Sequence, residues 1–133
     1  MKTVTAAGKR KSAIARATIR AGKGVVRINN KNLDFYEPKI SRLKLREPLI
    51  IAGDLSNKVN IDVNVFGGGI SSQADASRLA IAKGLVEFSK NDKLKEQFLN
   101  YDRNLLVADV RRKESSKPNR HGQARAKRQK SYR

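Results

Sequence analysis

The stretch of residues 59–90 limits the possible folds of this chain more than any other part of the sequence. Residues Val59–Phe66 alternate between apolar and polar side chains, and the apolar ones before Phe66 are β-branched. This alternation is typical of a strand with one buried and one solvent-exposed face. Gly67, Gly68 and Gly69 follow, and a helical pattern then runs from Ser71 or Ser72 to about Ser89. The sequence therefore predicts a half-buried strand, a tight glycine turn and a helix folded back on the strand.

The helical pattern carries two apolar stripes. Residues at steps of three and four form the main stripe, which consists of Ile70, Ala74, Ser77, Ile81, Leu85 and Phe88. A narrower stripe consists of Leu79, Ala82 and Val86. Because apolar side chains favour burial, a helix with two such stripes is expected to pack on two sides, against a sheet and another helix.

The rest of the chain supplies shorter elements. Three further strands are predicted, over residues 4–8, 12–21 and 25–29, with a basic loop of Lys9, Arg10 and Lys11 after the first. The Gly22-Lys23-Gly24 run indicates a turn, and residues 29–32 indicate a loop. In the second strand, Ala13, Ala15, Ala17 and Ile19 share one face, opposite Ile14, Arg16, Thr18 and Arg20. The small alanines predict something bulky packed close above that face.

Two more helical segments are predicted. The first begins at Pro38 and runs to Glu47, because Pro48 is expected to end or kink it. Residues 49–52 then form one buried turn closed by Gly53. The second helix runs from Lys93 to about Tyr101 after an Asn91-Asp92 cap, with Leu94, Phe98 and Tyr101 facing inward. Residues 105–110 are predicted to form a docked strand or a connection.

Length and composition bound the class of protein. A chain of 133 residues forms one domain, with room for an appendage. The sequence contains no cysteine, which excludes disulfides and thiolate metal sites. No apolar run approaches the roughly 20 residues that span a bilayer, and the basic N-terminus lacks the apolar segment of a secretory signal. We therefore expect a soluble intracellular protein.

The net charge of +18 is concentrated at the two ends of the chain. Residues 1–46 contain 13 Lys or Arg and 2 acidic residues, and residues 111–133 contain 10 Lys or Arg and 1 acidic residue. Residues 47–110, in contrast, contain 7 Lys or Arg and 9 acidic residues. Such self-repulsion predicts a polyanionic partner, and nucleic acid is the leading candidate. An anionic membrane surface would favour a basic amphipathic helix with apolar anchors, which neither end supplies.

Composition also divides the chain into a core, residues 1–110, and a tail, residues 111–133. The tail has no Ile, Leu, Val or Phe, so it cannot bury enough apolar area to offset an ordering cost of about 1–2 kcal/mol per residue. We expect it to be disordered alone and to become ordered on a partner.

Residue types that carry catalysis or bind metals are sparse. The single histidine, His121, lies in the tail, and no Cys–His pair, Ser–His–Asp set or metal-ligand spacing occurs on the ordered segments. The sequence thus predicts no enzyme, no cofactor and no metal site.

The run Gly67-Gly68-Gly69 allows two interpretations. Backbone N–H groups at a helix N-terminus attract phosphate, and the following Ile-Ser-Ser is similar to the glycine–serine loop of galactokinase-type and homoserine kinase-type enzymes. The structural interpretation is that glycines permit a sharp return and close packing of helix on sheet. The short chain, which leaves little room for a second substrate-binding lobe, favours the structural turn.

Four motifs, in order along the chain, carry a resemblance to a known family. The run 67–85, GGGISSQADASRLAIAKGL, is the longest, and the others are Gly8-Lys9-Arg10-Lys11-Ser12-Ala13, Asp109-Val110-Arg111 and Gln129-Lys130-Ser131-Tyr132-Arg133. The chain resembles the universal family of the ninth protein of the small ribosomal subunit over essentially its whole length. Its ending is similar to archaeal and eukaryotic members, and its compact N-terminus favours an archaeal one.

The resemblance implies an α+β fold with a four-stranded mixed sheet, packed helices and a left-handed βαβ unit, plus an extended basic tail. It also implies a structural, non-enzymatic role in translation, in the cytoplasm, in the head of the small ribosomal subunit. The implied partners are small-subunit ribosomal RNA, P-site tRNA and neighbouring head proteins, with no membrane and no homo-oligomer.

Site residues follow from charge and resemblance together. Those expected to bind ribosomal RNA are Lys9, Arg10, Lys11, Arg111, Arg112, Lys113, Arg120, Arg125, Lys127 and Arg128. Those expected to contact P-site tRNA are Lys130, Tyr132 and Arg133. Two alternatives stay open from sequence: a free nucleic-acid-binding module, which would bind DNA about as well as RNA, and a small-molecule kinase, which would bind nucleotide at the glycine turn.

Overall fold

The computed structural model describes residues 2–112, 115 and 118. Its strands are β1 (Thr3–Arg10), β2 (Ala13–Ala21), β3 (Val26–Ile28), β4 (Lys31–Asn32) and β5 (Val59–Phe66). Its helices are α1 (Lys39–Ala52), α2 (Ile70–Ser89) and α3 (Asp92–Tyr101), with short 3-10 helices at Leu33–Phe35, Gly53–Lys58 and Arg103–Leu105. The predicted α+β class is confirmed.

The sheet has five strands in the order β1-β2-β5-β3-β4, so the expectation of four strands was wrong. The additional strand, β4, lies in residues 29–32, which were predicted as a loop. Asn29 and Asn30 both have positive φ, 51° and 67°, and they form the two-residue turn that pairs Ile28 with Lys31. Asparagine tolerates this conformation, and two such residues in succession match a hairpin turn.

A βαβ unit joins β3 and β5. These strands are parallel neighbours, and α1 lies between them in sequence. All other strand pairs are antiparallel, which makes the sheet mixed, as expected. The left-handed sense of the crossover stays a prediction.

Helix α1 continues through Pro48, so the predicted helix end at Glu47 was wrong, whereas a kink at Pro48 stays a prediction. A proline inside a helix costs about 3 kcal/mol, because its N–H is missing and its ring crowds the preceding turn. Pro48 itself is buried, and Leu49 and Ile51 beyond it pack against the core. Burial of these side chains offsets the local cost of the proline. The helix is capped by Gly53, where the sequence predicted that the segment closes.

Helix α2 lies close against β1 and β2, and it begins at Ile70 rather than at Ser71 or Ser72. Ala76 and Ala80 are fully buried, and a Cβ on Gly8 of β1 would collide with the backbone of both residues. The alanines of β2 that were predicted to share one face are fully buried, and α2 packs on this strand, so the bulky element predicted above their face is the helix itself. Ile70, predicted on the buried stripe, is exposed.

The segment after α2 matches its prediction in part. Asn91 caps α3 by accepting a hydrogen bond at Oδ1 from the backbone N–H of Lys93, at 3.0 Å. Leu94 and Phe98 are buried as predicted, but Tyr101 is exposed. Residues 105–110 form a connection and not a strand, and Leu105 anchors it in the core.

Candidate nucleic-acid interface

The β1–β2 hairpin presents three predicted RNA-binding cations. Lys9 and Arg10 belong to β1, paired with Ile14 and Ala13, so Lys11 alone of the predicted loop lies in the turn. It is joined there by Ser12, which was predicted to begin the second strand. Successive side chains of a strand point to opposite faces. Lys9 therefore points away from the helices and is exposed, whereas Arg10 points toward them.

Arg10 is held by two carboxylates. Its Nη1 lies 3.0 Å from Oδ2 of Asp109, and its Nε lies 3.8 Å from Oδ2 of Asp75 on α2. The Arg10 side chain is only 16% exposed. Of the three hairpin cations, Arg10 thus contributes mainly to the internal structure, while Lys9 and Lys11 face solvent.

Asp109 also binds the first residue of the tail. Nη2 and Nε of Arg111 donate to the Asp109 carboxylate at 2.6 and 3.0 Å, and the Arg111 backbone N–H donates to Oδ1 at 3.0 Å. Hydrogen bonds from the Arg111 side chain and backbone, together with the charge of Arg10, hold the pKa of Asp109 well below its usual range. One carboxylate therefore joins the end of β1 to the start of the tail.

These contacts create one basic cleft. It has a volume of about 900 Å³ and is lined by Lys9, Arg10, Lys11, Ser12, Ile14, Arg111 and Arg112. Five of the seven lining residues are cationic, and they come from two chain segments about a hundred residues apart in sequence. The cleft unites the hairpin cations with the two tail cations that the structure describes.

The glycine turn has a steric explanation. Gly67 and Gly68 have φ of 81° and 63°, which disfavour other residues. A Cβ on Gly67 would lie 2.5 Å from the backbone oxygen of Ser12, and one on Gly68 would lie 3.1 Å from the backbone nitrogen of Ala13. Gly69 caps α2, and apart from its chain neighbours no described atom lies within 4 Å of the position its Cβ would take. The steric requirement therefore covers the first two glycines.

The remaining predicted site residues lie outside the described part of the chain. They are Lys113, Arg120, Arg125, Lys127 and Arg128 for ribosomal RNA, and Lys130, Tyr132 and Arg133 for tRNA; His121 also lies outside it. Among the described residues, no group of three His, Cys, Asp or Glu side chains could hold a metal ion. No described helix combines the length and apolarity needed to cross a membrane.

Comparison with known proteins identifies the family. The family profile described as "Ribosomal protein S9/S16" matches residues 8–133. The chain belongs to the ribosomal protein S9/S16 family. It is 53% identical to the small ribosomal subunit protein uS9 of Methanococcus maripaludis strain C7 over 134 aligned residues, covering all of both chains. It is 52% identical, with the same coverage, to the uS9 protein of Methanococcus vannielii.

Family membership decides between the interpretations left open by sequence. The S9/S16 proteins are structural ribosomal proteins and not enzymes, so the kinase interpretation of the glycine run was wrong. The archaeal assignment is confirmed by the Methanococcus relatives. Sequence reasoning missed the two acidic residues that hold Arg10 behind the cleft, Asp75 and Asp109. The Asp109-Val110-Arg111 motif was the available signal, because an acid two residues before an Arg can bind that residue's side chain and N–H together.

Proposed function

We propose that this chain is a structural constituent of the cytoplasmic small ribosomal subunit that binds ribosomal RNA through its basic cleft and tail. Membership of the S9/S16 family supports the ribosomal role. The observation that carries the RNA-binding part is the meeting of five cations in one cleft, at the point where the tail leaves the core.

Lys9, Lys11 and Arg112 are the cleft cations best suited to phosphate. All three are exposed, and none of them forms an ion pair with another described residue. Arg111 is 77% exposed even while bound to Asp109, so one edge of its guanidinium stays available to phosphate. Arg10 acts behind them, because it fixes Asp109 and thereby the direction in which the tail begins.

The tail extends this contact beyond the core. The 21 residues after Arg112 would span up to about 70 Å if fully extended, at roughly 3.3 Å per residue. On the family resemblance, Lys113, Arg120, Arg125, Lys127 and Arg128 bind ribosomal RNA along this path. Lys130, Tyr132 and Arg133 at its end contact P-site tRNA, where a terminal Arg offers both a guanidinium fork and a carboxylate. Other partners are the neighbouring proteins of the head, with no second copy of this chain.

RNA binding is tested by competition at several salt concentrations. The full-length protein should bind a transcript of the head region of small-subunit ribosomal RNA more tightly than duplex DNA of equal length. The variant K9Q/K11Q/R112Q should lower the slope of log affinity against log salt by about 2 to 3, since each phosphate contact contributes about 0.7 to 0.9. Equal affinity for DNA and RNA would instead identify a free nucleic-acid-binding module.

The tRNA contact is tested in assembled subunits. Deleting residues 131–133 should leave incorporation into subunits intact but weaken retention of P-site tRNA, because only the tip of the tail is removed. The matched control is R103Q, which removes one exposed cation from the core. Unchanged tRNA occupancy in subunits carrying the truncated protein would contradict the proposed role of the tail end.

A further inference from the structure

One face of the sheet is not covered by any described element. The inward side chains of β1, β2, β3 and β5 are buried under the helices, and the alternate residues are exposed or half-buried. We name this second side the open face, defined by Lys9, Arg16, Arg20, Arg27, Asp62 and Phe66. We propose that the open face is a further RNA-binding surface, at which Arg16, Arg20 and Arg27 bind backbone phosphates and Phe66 stacks on an unpaired base. The inference rests on the proposed function and extends it to residues outside the cleft and the tail.

The open face is strongly cationic. It carries four cations, Lys9, Arg16, Arg20 and Arg27, against one acid, Asp62. The closest approach of Asp62 to Arg20 is 3.9 Å, with the two side chains 47% and 54% exposed. Exposed pairs at that distance contribute little. The cations therefore stay available to an external anion.

Arg16 has no acid beside it in the sheet. Its neighbours across the two strand pairs are Ala7 on β1 and Asn64 on β5. Arg27 lies directly opposite Asp62, which Arg20 also approaches, so two cations share one carboxylate. A surface with this excess is stabilised by a polyanion that lies across it.

The spacing of the arginines suits an extended phosphate backbone. Arg16 and Arg20 are four residues apart on β2, a rise of about 13 Å. Arg27 lies two strands away, in the row of Thr18, which places it about 12 Å from Arg20. Each guanidinium can therefore bind a different phosphate group. The positions near them carry Thr and Asn side chains, such as Thr18 and Asn64, of the kind that hydrogen-bond phosphate and ribose oxygens.

The open face is continuous with the cleft. Lys9 and Ile14 belong to the sheet and also line the cleft. A strand of RNA that enters the cleft beside Lys11 and Arg112 can thus pass onto the sheet without crossing an acidic region. This continuity, together with the hydroxyl and amide groups, favours RNA over an acidic protein as the occupant.

Phe66 supplies an aromatic surface at the same end. It pairs with Ile14 across the β2–β5 ladder, and it is 58% exposed. An exposed aromatic ring near cations is a platform on which an unpaired base stacks. Lys9 lies in the same row of the sheet, on the far side of Ile14. Stacking adds affinity without neutralising charge. Loss of Phe66 should therefore lower affinity without changing the salt slope, whereas loss of the arginines should lower both.

The test compares two charge-matched variants of the full-length protein. R16Q/R20Q/R27Q removes three cations from the open face, and K93Q/K95Q/R103Q removes three from exposed positions at α3 and just after it. With the head-region transcript, the open-face variant should bind at least about tenfold more weakly at low salt, and its salt slope should fall by about 2 to 3. The control should change the slope by less than about 1. Circular dichroism melting establishes that both variants are folded.

The aromatic contribution is measured separately. F66A should weaken binding of the same transcript about tenfold with an unchanged salt slope, and F66Y, which keeps the ring, should restore affinity. A loss of slope in F66A, or no loss of affinity, would overturn the stacking assignment.

Two outcomes would overturn the open face as an RNA surface. In the first, R16Q/R20Q/R27Q binds the transcript with wild-type affinity and salt slope, while K9Q/K11Q/R112Q loses affinity and slope. That result would leave the proposed function intact. The other is wild-type RNA binding together with poor incorporation into subunits, which would assign the face to a neighbouring protein. Failure of the proposed function looks different, because the unmodified protein would then show no preference for the RNA transcript over DNA.

Discussion

Among the ion-paired cations that the structure describes, Arg78 has the least exposed side chain. It lies on α2, is only 12% exposed, and donates from Nη2 to Glu47 of α1 at 2.6 Å and to Asp102, just after α3, at 3.0 Å. Three helical segments are therefore joined through one guanidinium. The variant R78M keeps the aliphatic volume of the side chain and removes its charge and its donors.

The expected cost follows from the exposure of the partners. Hydrogen bonds to charged groups contribute about 1.5–3 kcal/mol each, and removing one partner of a fully buried pair costs about 3–5 kcal/mol. Glu47 and Asp102 are 30% and 37% exposed, so water reaches both carboxylates after the substitution and reduces the loss. We expect R78M to lower the free energy of unfolding by about 2 kcal/mol. With a urea m-value of about 2 kcal/mol/M, the midpoint should fall by about 1 M.

The pH dependence provides an independent measurement. Burial alone would raise the pKa of Asp102, but hydrogen bonds from the Asn104 backbone N–H and from Arg78 outweigh it, and the pKa is lowered. A carboxyl with a lowered pKa in the folded state adds stability above its unfolded pKa and loses it as pH falls. The difference between wild type and R78M should therefore be complete at pH 7 and shrink below about pH 4.

K83M is the matched control for urea unfolding. Lys83 is half-buried on the same helix and forms no ion pair with the described residues. The urea midpoint of K83M should differ from that of the wild type by less than about 0.3 M. If R78M shifts the midpoint no more than K83M, or if the stability deficit of R78M is unchanged at pH 3, the ion cluster around Arg78 does not stabilise the core.

Other perturbations test the hairpin end of the molecule. G67A should destabilise the fold by about 1–3 kcal/mol in urea unfolding, since it combines positive φ with a clash against Ser12, whereas G69A should be nearly neutral. Equal effects would contradict the steric account of the turn. Because Arg111 holds the pKa of Asp109 low, NMR titration should show this carboxylate titrating below the range of an ordinary aspartate, and the variant R111Q should raise its pKa. D109N should raise affinity for duplex DNA, because it removes an acid. It should also reduce the preference for the ribosomal RNA transcript, because Asp109 no longer links Arg10 to Arg111 and the tail no longer begins in a fixed direction. An unchanged preference would contradict this role of Asp109.

The sequence by itself determined the local elements and the charge division. Strand β5, helix α2 and the alternation of β2 follow from periodicity, because the pattern of buried side chains repeats with the geometry of each element. The strongly basic tail was equally visible, since it depends on composition alone. The alternation even placed Arg16 and Arg20 on the polar side of β2.

Tertiary structure decided which cations are free and which are bound. Arg10 and Lys9 are adjacent in sequence, but only the packing of β1 against α2 turns Arg10 toward Asp75 and Asp109. The helix that continues through Pro48 depends in the same way on burial of distant side chains. Periodicity reports the geometry of one element, whereas an ion pair depends on the path of the chain between elements, and only the folded molecule fixes that path.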